Sequence, residues 1–232
     1  DDVYVCQEAN LPNRLFIQEA AGTARDASDA SQVDWLDGSR SALFVDLDND
    51  GDQDLAVAIL GGLAIAENVG DRFALREVLP THDDTTSISA ADYDLDGDLD
   101  LYVVYDFGPL IKPNVLMIND GSGNFEPDPD CGCDLAMFGM GASLGDYNND
   151  GHVDLHISDL GSPRLLMGLG GGRFADSTLA SGAYIAPSAD RVTSWATRFV
   201  DLDQDGWDDL ITAYGHLLMG IDLSRIHISD PT

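Results

Sequence analysis

Short apolar runs recur along this chain in pairs, and a polar stretch of nine residues splits each pair. Before the polar stretches stand Ala42–Val45, Ile88–Ala91, Gly141–Leu144 and Thr197–Val200; after them stand Leu55–Ala58, Leu101–Val104, Leu155–Ser158 and Leu210–Ala213. The runs are β-branched or small, of strand length, and lack a sustained helical period, so they predict antiparallel strands joined by a loop. A third run follows in Leu63–Ala66, Pro113–Asn119 and Pro163–Met167. Each leads through a glycine turn to a phenylalanine, Phe73, Phe125 or Phe174, expected to open a fourth strand as a core anchor. The unit is therefore strand, polar loop, strand, strand, glycine turn, strand.

The polar stretches share one pattern. Asp46-Leu47-Asp48-Asn49-Asp50-Gly51-Asp52-Gln53-Asp54 is followed by Asp92-Tyr93-Asp94-Leu95-Asp96-Gly97-Asp98-Leu99-Asp100. Asp146-Tyr147-Asn148-Asn149-Asp150-Gly151-His152-Val153-Asp154 and Asp201-Leu202-Asp203-Gln204-Asp205-Gly206-Trp207-Asp208-Asp209 complete the set. Acidic side chains recur at positions 1, 3, 5 and 9, save for Asn148 at position 3 of the third, with glycine at 6 and leucine at 10. So many carboxylates within nine residues repel one another unless a hard cation sits among them. Ca²⁺, which takes six to eight oxygens in irregular geometry, is the expected guest, about one per loop. The glycine gives the wrapping chain a residue free to take positive φ. An EF-hand is excluded, because that motif needs flanking helices and a Glu at position 12; position 12 here is Val57, Val103, Ile157 or Thr212.

From one position-9 aspartate to the next the period is 46, 54 and 55 residues. Four antiparallel strands per period is the signature of a propeller blade. At this point the chain resembles the FG-GAP/VCBS-type repeats of integrin α-subunit propellers, and the secreted cartilage acidic protein type in particular. The resemblance rests on Gly139-Met140-Gly141-Ala142-Ser143-Leu144-Gly145 leading into the third loop, on Pro12-Asn13-Arg14-Leu15-Phe16, and on the four loops together. It implies an all-β propeller of four-stranded blades with calcium-binding hairpin loops. It also implies metal ligation by side chains at positions 1, 3, 5 and 9 and by the main-chain carbonyl at 7, here Asp52, Asp98, His152 and Trp207. Asn148 at position 3 lowers the charge of the third site and should weaken it.

Repeat spacing assigns residues 1–221 to blades, with a partial blade at 1–35, loops at 46–54, 92–100, 146–154 and 201–209, and a non-repeat tail at 222–232. Asp2-Val3-Tyr4-Val5 aligns with Asp154-Leu155-His156-Ile157, which makes Asp2 the ninth position of a fifth loop. The expectation is a fragment holding about four to five of seven blades, with unpaired strand edges at its ends. His216–Gly220 is expected to begin the third strand of the last blade. The tail reads as translated sequencing-adapter sequence that packs poorly.

Composition narrows the function. Lys and Arg number 11 against 42 Asp and Glu, a net charge of −31, so nucleic acid and anionic membranes are poor partners. The longest apolar run, Leu55–Ala66, is interrupted by Gly61-Gly62 and suits two strands and a turn rather than a membrane span. Three cysteines do not make a disulfide framework: Cys131 and Cys133 could pair locally, either could pair with Cys6, or all could be free. No histidine stands in metal-ligand or triad spacing, and the His152 side chain is expected in solvent. Gly168–Gly172 lacks the Lys-Ser/Thr of a phosphate loop. Trp35, Trp195 and Trp207 read as core or rim residues rather than a sugar platform. The expectation is a secreted, periplasmic or cell-surface binding module for a protein or glycan, with no catalytic residue within the metal loops. The rival is a domain of a secreted polysaccharide lyase or hydrolase.

Overall fold

The structure, a computed structural model, describes residues 2–8, 10–80, 85–183, 192–216 and 225–229. Among these the chain is all β, with antiparallel sheets of the kind that build propeller blades. Contacts divide it into two compact units, Asp1–Ile88 and Ser89–Thr232.

The first unit holds a three-stranded sheet of β1 (Val3–Val5), β2 (Arg14–Ala20) and β3 (Thr23–Asp26). Beside it lies the four-stranded sheet β4 (Ser39–Val45), β5 (Asp54–Ile59), β6 (Gly62–Asn68) and β7 (Phe73–Leu79). Leu15, Ala27 and Val33 pack with Leu55, Val57 and Ala66 to form their core.

The second unit repeats the plan. One sheet is β8 (Thr85–Ala91), whose residues up to Ile88 fall in the first unit, with β9 (Asp100–Tyr105), β10 (Val115–Asn119) and β11 (Phe125–Pro127). The next is β12 (Gly139–Gly145), β13 (Asp154–Asp159), β14 (Arg164–Gly168) and β15 (Phe174–Asp176). The last described sheet is β16 (Val192–Val200), β17 (Asp209–His216) and β18 (Arg225–Ser229). Tyr93, Tyr102, Leu116 and Phe174 join Leu155 and Ile157 in one core, while Tyr147 and Leu165 join Phe199 and Leu210 in another. Gly145 is required here, since a Cβ would come 2.4 Å from the Phe199 ring.

The second strand of each four-stranded sheet is buried along nearly its whole length. β9 is buried at all six residues, and β5 and β13 at all but the last. This explains their continuous apolar runs, where a half-solvated strand would alternate. The first strands carry a bulge at the same place. The extra residue is Arg40, Met140 or Trp195, each six positions before the first loop aspartate.

Three expectations are corrected or settled. β17 continues to His216, and the third strand of the last sheet is Arg225–Ser229, paired along β17 from Leu210 to Tyr214; a segment expected to pack poorly contributes a strand, while 217–224 and 230–232 lie outside the described residues. Cys131 and Cys133 are joined, and Cys6 is free. The intervening Gly132 takes φ +73°, and a Cβ there would stand 2.6 Å from the Phe174 carbonyl.

Candidate metal centres

Each loop is built by main-chain amides that fold back on its own carboxylates. The position-6 N–H donates to position 1: Gly51 to Asp46, Gly97 to Asp92, Gly151 to Asp146 and Gly206 to Asp201, at 2.9–3.1 Å. The position-7 N–H donates to position 5: Asp52 to Asp50, Asp98 to Asp96, His152 to Asp150 and Trp207 to Asp205. This tight wrap needs the left-handed region twice. The position-6 glycines lie at φ 86–103°, and position 4 follows with Asn49, Leu95, Asn149 and Gln204 at 53–66°. The sequence pattern flags the glycine but not position 4, where a side chain is merely disfavoured.

The wrap gathers carboxylates. Oxygens of Asp46, Asp48 and Asp50 lie within 4.8 Å of one another, as do those of Asp92, Asp94 and Asp96, and those of Asp201, Asp203 and Asp205. That spread matches oxygens around one cation with metal–oxygen distances of about 2.4 Å. In the third loop Asp146 and Asp150 are joined by Asn148, whose amide donates to Asp150 at 2.8 Å. A hydrogen bond there does part of what charge must do elsewhere. The fit is best supported in the first loop, where Asp46 Oδ1, Asp48 Oδ1 and Asp52 Oδ1 are buried without a hydrogen-bond partner.

The position-9 aspartates, grouped with the others by sequence, have a distinct place. Their Oδ2 accepts the position-2 N–H: Leu47 on Asp54, Tyr93 on Asp100, Tyr147 on Asp154 and Leu202 on Asp209. Oδ1 of the first three accepts an N–H from the third strand: Asn68, Asn119 and Gly168. Asp2 accepts from Gln18 at 2.8 Å in the same manner, matching its sequence alignment. Burial pushes Asp54, Asp100 and Asp154 up, the last two to about 6, although both main-chain donors pull the other way. Asp52 and Asp94 are also raised, first by burial and then by neighbouring aspartates. A bound cation reverses this balance by favouring the ionised forms.

Sequence reasoning missed Asn68 and Asn119. Each sends its side-chain amide back to the position-8 carbonyl, Gln53 or Leu99, while its own oxygen caps the glycine turn at Gly70 or at Gly121 and Gly123. The signal was present as an asparagine two residues before a glycine, in Asn68-Val69-Gly70 and Asn119-Asp120-Gly121. Position-7 side chains rest on that turn. A Cβ on Gly121 would come 2.4 Å from Asp98, and one on Gly170 would come 2.9 Å from the His152 ring. His152 is thus half-buried rather than in solvent, with Nδ1 lacking a hydrogen bond. Of the tryptophans, Trp35 is half-buried and bonded to the Gln32 carbonyl, while Trp195 and Trp207 are exposed.

Residues 46–103 and 146–212, more than half the chain, match the FG-GAP-like repeat. The chain belongs to the FG-GAP-like repeat family. The matched regions include all four loops. Among solved structures, this FG-GAP-like chain is similar to an Agrocybe aegerita lectin that recognises non-reducing terminal N-acetylglucosamine. That likeness has a TM-score of 0.56 at 17% identity, and covers 94% of this chain and 67% of the lectin. It is also similar to Bap1, a biofilm matrix protein of V. cholerae, with a TM-score of 0.59 at 15% identity. The alignment covers 99% of this chain and 34% of Bap1, so the chain spans about a third of that protein's length. Both likenesses speak for the fold alone. No curated protein matches the chain. No helix among the described residues is long and apolar enough to cross a membrane.

Proposed function

We propose that this FG-GAP-like chain is a calcium-stabilised extracellular binding module whose ligand is a protein or a glycan. The observation that carries the reading is the pair of buried oxygens that accept no hydrogen bond at positions 1 and 3 of the first loop, Asp46 Oδ1 and Asp48 Oδ1. A buried carboxylate oxygen that accepts no hydrogen bond is costly, and a cation offsets that cost. Oxygen-only ligands in an irregular loop favour Ca²⁺ over Mg²⁺, which demands near-octahedral geometry. Side chains at positions 1, 3, 5 and 9 and the position-7 carbonyls would hold the ions. The ions are structural: they allow acidic hairpins to close without self-repulsion. Loop sites of extracellular modules fill at calcium levels absent from the cytosol, which supports a secreted, periplasmic or cell-surface place. The similar lectin and matrix proteins, together with the −31 charge, support a protein or glycan ligand over nucleic acid.

Titration calorimetry and thermal melting test the calcium reading. About four ions are expected, the third loop being weakest. At a free concentration of one hundred times Kd each site contributes about 2.7 kcal/mol. Mg²⁺ should give a smaller rise in Tm. Absence of both binding heat and a calcium-dependent Tm would overturn the assignment. A glycan array probed with and without Ca²⁺ tests the ligand class.

A further inference from the structure

An arginine stands beside the first metal loop. Strand β7 carries a bulge: Leu75 pairs with Ala66 and Glu77 with Ile65, so Arg76 is the extra residue between them. A bulge re-aims the side chain of its extra residue. Arg76 Nη1 lies 3.9 Å from Asp48 Oδ2, and the two side chains are 29% and 17% exposed. Asp48 is the third position of loop one, and its other oxygen, Oδ1, is buried and accepts no hydrogen bond. One carboxylate is thus shared between a guanidinium and the oxygen cluster that it forms with Asp46 and Asp50.

The other loops are built differently. Three residues after the phenylalanine that opens the fourth strand stand Arg76, Asp128 and Ser177 in successive repeats. β11 and β15 pair with their neighbours without a bulge, and Asp128 is itself held by Arg173. Among the described residues no arginine or lysine forms an ion pair with Asp94 or Asp203, the third-position aspartates of loops two and four. Loops one, two and four all carry aspartate at positions 1, 3, 5 and 9. Their ligand charge is equal there, and Arg76 is the difference.

We propose that Arg76 is a tethered counter-cation that competes with Ca²⁺ for Asp48 and sets the affinity of loop one below that of loops two and four. The inference rests on the calcium reading above and adds the order in which the loops fill. In calcium-free protein the guanidinium offsets part of the repulsion among Asp46, Asp48 and Asp50, so loop one depends less on calcium for its closure. When a divalent cation enters, the two positive charges lie one carboxylate apart and repel. A unit charge at such a separation weakens binding about three- to tenfold at about 0.1 M salt, and the effect fades as salt rises. Competition is favoured over a supporting role because 3.9 Å is too long for the charge-assisted hydrogen bond that would orient Asp48. Loops two and four fill first, and loop one follows with loop three, whose charge Asn148 lowers.

Calcium titration of the full chain, in competition with a chromophoric chelator, tests this. Arg76→Gln removes the charge and keeps a polar side chain. It should lower the Kd of one site about three- to tenfold in about 0.1 M salt, and by less in about 1 M. It should also lower the Tm more in calcium-free than in calcium-loaded protein. Arg76→Lys keeps the charge and should return the Kd to near the wild-type value. In a chain that also carries Asp46→Asn, which cripples loop one, Arg76→Gln should alter the Kd of no remaining site. Unchanged or weaker binding by Arg76→Gln, while the wild-type chain binds Ca²⁺, overturns the role of Arg76 and leaves the calcium reading standing. An effect that persists in the Asp46→Asn background overturns that role as well. A wild-type chain that binds no Ca²⁺ overturns the calcium reading itself, and this inference with it.

Discussion

Asp100→Asn separates the metal's contribution from that of the hydrogen bonds. Asp100 has no exposed surface, accepts the Tyr93 N–H at 3.2 Å and the Asn119 N–H at 2.8 Å, and is pushed up to about 6 by burial. An asparagine keeps one accepting oxygen and turns an amino group toward the other main-chain donor. Losing that charge-assisted bond costs about 1.5–3 kcal/mol. Against this, the ionised carboxylate at pH 7 is held about two pH units above its ordinary value, so removing the charge returns about 3 kcal/mol in calcium-free protein. The two nearly cancel, and calcium-free stability should change by no more than about 1 kcal/mol. With calcium bound the ionised form is already favoured, so the return vanishes and the site's own contribution of about 2.7 kcal/mol is lost too. Urea unfolding followed by tryptophan fluorescence, with and without Ca²⁺, measures both. Equal destabilisation in the two buffers would refute a cation at Asp100.

The remaining predictions concern pH and the asparagine caps. Asp100 and Asp154 titrate near 6 when folded, above the ordinary 3.8, so the folded state binds more protons than the unfolded between those values. Calcium-free protein should therefore gain stability as pH falls from about 6 toward 4, whereas calcium-loaded protein should lose it as protons displace the ion. Melting curves on dialysed protein check this, and a calcium-free Tm that falls over the same interval would count against it. Asn119→Ala removes two accepted bonds from Gly121 and Gly123 and one donated to Leu99. It should cost about 3 kcal/mol equally with and without calcium; a loss seen only in Ca²⁺ would show that the residue acts through the ion.

Much of this protein is legible in its residues because the determinants are local. A hairpin loop whose amides fold onto carboxylates two to five positions away is written within nine residues. The strands flanking each loop, the glycine at φ near 90°, the phenylalanine opening each fourth strand and the place of Asp2 follow from spacing and repetition alone. Tertiary structure decided what depends on partners distant in sequence. Asp54, Asp100 and Asp154 look like their loop neighbours in sequence, but third-strand amides 14 or 19 residues on draw them beneath the loop. His152 reads as a solvent residue until Gly170 packs against it. The cysteine pairing stayed open until the chain bent at Gly132. Leu47 and Leu202 occupy identical repeat positions, yet one is buried and the other exposed, because burial belongs to the neighbouring surface and not to the residue.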